Sequence, residues 1–330
     1  MRALTAAALL LFGALTSGNA GAQVTPSFPD LTYASVGGQP LMLDLYLPQN
    51  GAAPRPLVVW IHGGGWSGGS RFPAPAHARR LLNFGVAVAS ISYRLTSQAG
   101  QWGAEPVIFP AQIHDSKAAI RWLRAHAAEY QIDPNRVGVW GSSAGGHLAA
   151  LVGTSGNDPA LEGVVGGNLG QSSAVQVAVD YYGPTDLLLM QLDVTTPPGS
   201  IIDHDAPSSP ESRLIGFDQP GEGIGVLRAN ADNPAPPFPQ LITRVTELSP
   251  LTWVDAADPP SLIVHGDQDS SVPIAQSERL LTNLMAFGHA PAFITVPGAG
   301  HGGFPNETHE QAHEFLLGYL ISHLHRGGFE

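Results

Sequence analysis

The pentapeptide Gly141-Ser142-Ser143-Ala144-Gly145 follows directly on the run VGVW (137–140) and leads into a stretch patterned as a helix. A serine hydroxyl is a weak nucleophile unless it is lifted clear of its surroundings and given a base. G-x-S-x-G at a strand-to-helix turn does the lifting, because the strained turn needs small residues two before and two after the serine. Ser143 is therefore read as a nucleophile, with the N-terminus of the following helix favouring developing negative charge beside it. A second glycine-rich segment, His62-Gly63-Gly64-Gly65-Trp66, follows the run LVVWI (57–61). Consecutive glycines let backbone N–H groups turn toward a bound oxyanion. Gly64 and Gly65, joined by the N–H of Ala144, are the expected donors. The chemistry is acyl transfer; no G-K-[ST] follows, so a phosphate loop is a poor reading.

Such a serine needs a histidine, and the histidine needs an acid to orient it. His301 lies in Pro297-Gly298-Ala299-Gly300-His301-Gly302-Gly303, after the strand-like run AFITV (292–296), with glycines on both sides. It is the expected general base. The acid belongs in Gly266-Asp267-Gln268-Asp269, after SLIVH (261–265), where both Asp267 and Asp269 are available. His62 and His147 are read as structural residues. Trp66 is read either as a substrate-stacking wall or as a packed core residue. His309-Glu310-Gln311-Ala312-His313 matches the zinc-protease signature H-E-x-x-H. A third ligand would have to come from Glu314, His323 or His325, close on the same helix, so this motif is expected to be a solvated or packing face and no metal is assigned.

The elements that must hold these loops alternate between strand-like and helix-like patterns, which implies a mainly parallel sheet flanked by helices. The expected strands are 41–47, as an edge strand, then 57–61, 86–92, 137–140, 175–181, 261–265 and 292–296. The expected helices are 112–130, stopped by Asp133-Pro134, then 144–153, 274–287 and 307–325. Residues from about 184 to 249 show no clear period and carry many prolines, so they are expected to form an irregular cap-like excursion, with a polar rim from residues such as Asp203, His204 and Glu211. Arg2, the apolar run 3–15 and Ala20-Gly21-Ala22 predict a signal peptide over 1–22, leaving 23–330 as one catalytic domain in the periplasm or the medium.

Composition narrows the function. The chain has 330 residues, 43% hydrophobic, and a formal charge of −12, with Lys117 its only lysine and no cysteine. There is no basic stripe to displace counterions from a nucleic acid, and thiolate nucleophiles, thiolate metal sites and disulfides are excluded.

Taken together, HGGGW, SISYRL (90–95), GSSAGGHLAAL (141–151), YYGPTD (181–186), HGDQDSSVP (265–273) and PGAGHGGF (297–304) resemble α/β-hydrolase serine esterases, and most nearly secreted bacterial esterases related to feruloyl and acetyl-xylan esterases. The resemblance implies an α/β-hydrolase fold and the catalytic set Ser143, Asp269 and His301, with Asp269 as the acid. It does not fix the substrate; a small-molecule or carbohydrate-linked ester is expected, and no cofactor. Neither nucleic acid nor membrane insertion is expected. The alternatives are a serine exopeptidase or oligopeptidase on the same fold, and a non-catalytic hydrolase-like binding protein.

Overall fold

The computed structural model describes residues 25–156, 158–194 and 202–321. The expected signal peptide lies outside the described residues, as do Pro197, Pro198, His323 and His325. Among the described residues one sheet of eight strands runs through the molecule. The strands are β1 (Phe28–Val36), β2 (Gln39–Tyr46), β3 (Arg55–Ile61), β4 (Ala87–Ile91), β5 (Ile132–Ser142), β6 (Val177–Tyr181), β7 (Ser261–Gly266) and β8 (Ala292–Val296), in the order β1-β2-β4-β3-β5-β6-β7-β8. β2 is antiparallel to both of its neighbours, and the strands from β4 across to β8 pair in parallel. The longer helices are α1 (Ala111–Ala125), α2 (Ala144–Ser155), α3 (Pro210–Ile215), α4 (Ile224–Ala229), α5 (Phe238–Glu247), α6 (Ala275–Ala286) and α7 (Asn306–Leu320). This is the expected α/β-hydrolase architecture.

The central strands read as unbroken apolar runs because helices cover both faces. In β3, Leu57, Val59 and Ile61 join the core beneath α1 and α2, while Val58 and Trp60 join the core beneath α7. From α2, Leu148, Leu151 and Val152 close the first layer; Ala312, Leu316 and Leu320 of α7 close the second. Each such leucine or valine contributes about 1.5–3 kcal/mol by leaving water.

Four expectations are corrected. The segment 41–47 is not an edge: β1 pairs outside it, through a register broken between Phe28 and Leu31 and again between Thr32 and Ala34. Those irregularities erase the alternation by which β1 would have been recognised. The helix expected to run to residue 130 ends at Ala125, and a short turn of helix at Ala127–Tyr130 closes on Gln131 with φ 55°. Asp133-Pro134 then lies inside β5 rather than acting as a stop. The excursion from 184 to 249 is substantially helical, with a single helical turn at Met190–Asp193 followed by α3, α4 and α5. Prolines did not prevent this, because Pro210 and Pro239 occupy first turns, where a backbone N–H has no partner to lose. Phe238, Leu241, Ile242, Val245 and Leu248 then fall on one face and pack into the core.

Candidate active site

The loops at the carboxyl ends of the parallel strands meet over one cavity of about 500 Å³. β5 delivers Ser143 there in a conformation that few L-residues adopt, φ 56° and ψ −125°. Its N–H donates to Tyr181 O at 2.8 Å, and its carbonyl accepts from His147 N at 3.0 Å as α2 begins. The flanking glycines are required by space: a Cβ on Gly141 would lie 2.0 Å from Gly145 O, and one on Gly145 would lie 2.1 Å from Ile61 O.

Ser143 Oγ and His301 Nε2 are 2.8 Å apart, and His301 Nδ1 and Asp269 Oδ2 are 2.7 Å apart. Asp269 is buried, while the His301 side chain is 25% exposed and lines the cavity. The Asp269 Oδ1 accepts from the backbone N–H of Ser271 and Val272, at 2.8 and 2.9 Å. Burial alone would raise this carboxyl, but hydrogen bonds from His265 and His301, with help from the Val272 N–H, hold it well below the usual carboxylate range. Asp269 is thus a fixed anion facing the imidazole. Asp267, the other candidate acid, is exposed and accepts from Gly298 N at 2.7 Å, while Gln268 N donates to Ala299 O at 2.9 Å. These bonds zip the loop after β7 to the loop after β8, so Asp267 joins the two loops and Asp269 meets the histidine.

Two neighbours were not singled out from the sequence. His265, at the end of β7 and wholly buried, brings Nε2 to 2.9 Å from Val272 O and 3.3 Å from Asp269 Oδ2, while its Nδ1 lies 2.7 Å from Ser277 Oγ. Tyr182 packs its ring 4.6 Å from that of His301. Burial pushes its hydroxyl up to about 12, moderated by a hydrogen bond with the Ser142 side chain. Ser142 is therefore engaged with Tyr182, and Ser143 with His301. Both neighbours sit within runs that read as strand ends, and composition marks neither the partners that His265 meets in the following loop and helix nor the ring contact of Tyr182 with His301.

The glycine loop lines the same cavity. Gly64 has φ 113° and Gly65 φ 56°, and a Cβ on Gly64 would lie 2.4 Å from Gly68 O. The N–H groups of Gly64, Gly65 and Ala144 donate no backbone hydrogen bond among the described residues. Trp66 touches the cavity but is only 1% exposed, and its Nε1 donates to His147 Nδ1 at 3.2 Å. It is a core residue with one edge at the site. His147 is buried with Nε2 2.7 Å from Leu248 O, and burial lowers it to about 4. His62 stacks on Tyr93, with its Nδ1 near Gly63 O. Both are structural, as expected.

The excursion supplies part of the cavity wall through Ile202, Pro210 and Glu211. Glu211 and His204 were expected on a polar rim; both are buried, bonded to each other at 3.0 Å. In the H-E-x-x-H segment, His309 stacks on the His77 ring at 4.4 Å and His313 Nε2 lies 2.7 Å from His77 O. This cluster packs against Trp140 and Tyr181 on the α7 face of the sheet.

The chain is similar to known proteins over most of its length. Residues 43–284 match the BD-FAE family. The chain belongs to the BD-FAE family. The matched span includes Ser143 and Asp269, and His301 lies beyond it. Among curated relatives, esterase LipQ of Mycobacterium tuberculosis is 30% identical over 82% of this chain and 56% of its own length, and esterase LipC of the same organism is 30% identical over 76% and 53%. The chain thus spans about half the length of these relatives. Among solved structures, a truncated carbohydrate esterase from gut microbiota superposes with a TM-score of 0.73 at 32% identity, covering 91% of this chain and 98% of that one. A bifunctional GH43-CE protein of Bacteroides eggerthii gives 0.72 at 33%, covering 89% and 35%.

Proposed function

We propose that this BD-FAE member is an exported serine carboxylic-ester hydrolase that acts on short-chain or aromatic-acid esters, with acetylated or feruloylated plant polysaccharide as its natural substrate. The observation that carries the reading is the unbroken chain Ser143 Oγ, His301, Asp269, with spacings of 2.8 and 2.7 Å, in the cavity that also holds Gly64, Gly65 and Ala144. His301 takes the Ser143 proton as Oγ attacks the ester carbonyl. Asp269 holds the imidazole in the tautomer that accepts this proton and offsets the charge it acquires. The N–H groups of Gly64, Gly65 and Ala144 receive the oxyanion, as the orphan donors of a helix start and a left-handed glycine loop can. His301 returns the proton to the leaving alcohol, and water repeats the sequence on the acyl-enzyme.

The carbohydrate esterase among the structural neighbours supports the polysaccharide substrate, and residues 1–22 support export. A panel of acetyl, butyryl, dodecanoyl and feruloyl esters, with a peptide nitroanilide beside them, tests the reading. The expected result is hydrolysis of C2 to C4 esters with kcat/KM at least ~100-fold above C12, a margin that a closed pocket reaches by rejecting methylenes, and no peptidase activity. Turnover that climbs with acyl length, or peptide cleavage without ester cleavage, would contradict it.

A further inference from the structure

Glu211 stands in the wall of the cavity that holds Ser143 and His301. It is only 3% exposed. Its Oε1 is bonded to His204 Nδ1 at 3.0 Å, while its Oε2, also buried, has no protein hydrogen-bond partner among the described residues. A buried carboxylate oxygen is a strong acceptor, and leaving it without a donor is costly. Of the buried side-chain atoms without a partner among the described residues, this is the one whose residue lines the cavity.

Its placement is fixed. Pro210, the preceding residue, packs on the glycine loop: a Cβ built on Gly65 would lie 3.2 Å from Pro210 Cβ. Glu211 therefore sits beside the loop that faces the ester carbonyl. Ser209 Oγ accepts from Ser212 N at 3.1 Å, and Ser212 Oγ reaches Ala206 O at 2.9 Å and Ile224 N at 3.1 Å, so α3 is tied at its first turn. His204, wholly buried, is held in turn by a bond from its own N–H to Gln191 Oε1 at 2.8 Å. The bond to His204 holds the carboxylate in the cavity wall. A plain alkyl ester offers it nothing, whereas a substrate hydroxyl offers the missing donor.

We propose that Glu211 is a specificity-determining residue: its Oε2 accepts a hydrogen bond from a free hydroxyl on the alcohol half of the ester, close to the acylated oxygen, and so selects esters of sugars and other polyols over esters of simple alcohols. This rests on the ester-hydrolase reading above. The test compares methyl 2-O-acetyl-β-D-xylopyranoside with its 3,4-dideoxy analogue, on the wild-type protein and on Glu211→Gln, with p-nitrophenyl acetate as the reference ester for the wild type. The readout is the ratio of kcat/KM between the two xylosides, in which any change common to the catalytic groups cancels. The wild type is expected to prefer the hydroxyl-bearing ester by roughly 10- to 100-fold, the range for a hydrogen bond to a charged acceptor. Glu211→Gln is expected to bring the ratio below about 3-fold. If Glu211→Gln does not fold, Glu211→Asp, which withdraws the carboxylate by one methylene, is read the same way. A wild-type ratio near one, or a variant that keeps the wild-type ratio, overturns the proposal. Activity on p-nitrophenyl acetate with none on either xyloside overturns it and leaves the ester-hydrolase reading standing. A wild type inactive on all three esters removes that reading, and the proposal with it.

Discussion

Replacing Gly145 by alanine tests how closely the fold couples the proposed nucleophile to the proposed oxyanion loop. A methyl at this position would meet Ile61 O at 2.1 Å and His62 O at 2.6 Å. A carbon and a carbonyl oxygen in weak contact stand about 3.3 Å apart, so the start of α2 and the end of β3 must separate by about 1 Å. Overpacking of this kind costs about 1–3 kcal/mol of stability. The larger effect is catalytic. Ile61 leads directly into His62-Gly63-Gly64-Gly65, and Gly145 lies two residues after Ser143, so the same displacement carries the N–H donors away from the nucleophile. A misplacement of about 1 Å costs on the order of 10²-fold in rate. The expected outcome is a folded protein with a urea midpoint lowered by that penalty and kcat on p-nitrophenyl acetate reduced roughly 100-fold. Gly318→Ala on α7 is the matched control. A Cβ there meets nothing within 4 Å, so activity should stay unchanged and stability should rise by about 0.5–1 kcal/mol. If Gly145→Ala keeps kcat within 3-fold of wild type, the claimed coupling is wrong.

Asp269→Asn should lower kcat by about 10³- to 10⁴-fold, since the imidazole loses the anion that sets its tautomer; Asp267→Asn keeps an oxygen that can accept from Gly298 N and should cost far less, and the reverse ranking in steady-state assays would reassign the acid. The buried His147, lowered to about 4 from an ordinary value near 6.5, stays neutral in the folded chain while the unfolded chain takes up a proton. Its contribution is therefore intact above pH 6.5 and is lost as pH falls toward 4, by about 2 kcal/mol between pH 7 and pH 5. Urea melts of wild type and His147→Gln at both pH values should diverge by that amount, and parallel pH dependence would contradict the assignment. His309→Ala with His313→Ala should keep ester hydrolysis while losing stability, because these rings pack on His77, Trp140 and Tyr181; loss of activity restored by zinc would show that the H-E-x-x-H helix does chemistry.

The site was legible in the sequence where chemistry forces a local pattern. Gly141, Ser143 and Gly145 had to be close in the chain because the turn that raises the serine is local, and Gly64 had to be glycine because its φ is 113° and a Cβ there would lie 2.4 Å from Gly68 O. Asp269 and His301 were findable because each follows a strand run at one end of a parallel sheet. His265, Tyr182 and the His204–Glu211 pair were not: His265 and His204 meet partners a few residues on through irregular turns whose spacing follows no period, and Tyr182 meets a loop far along the chain. The same logic separates the strands. Strands β3 to β8 announce themselves as β-branched apolar runs, whereas β1 carries Pro29, Asp30 and a shifting register. The helices of the excursion were obscured by proline content, although Phe238, Leu241, Ile242 and Val245 already carried a helical period.

The central claim is that Ser143 is the nucleophile, and the most direct test is covalent. Treatment with diethyl p-nitrophenyl phosphate followed by peptide mass spectrometry should place a single diethylphosphoryl group on Ser143, in step with loss of esterase activity. Ser143→Ala should fold, refuse the label and lose kcat by roughly 10⁴-fold or more. A label on Ser142, or near-normal turnover by Ser143→Ala, would contradict the account.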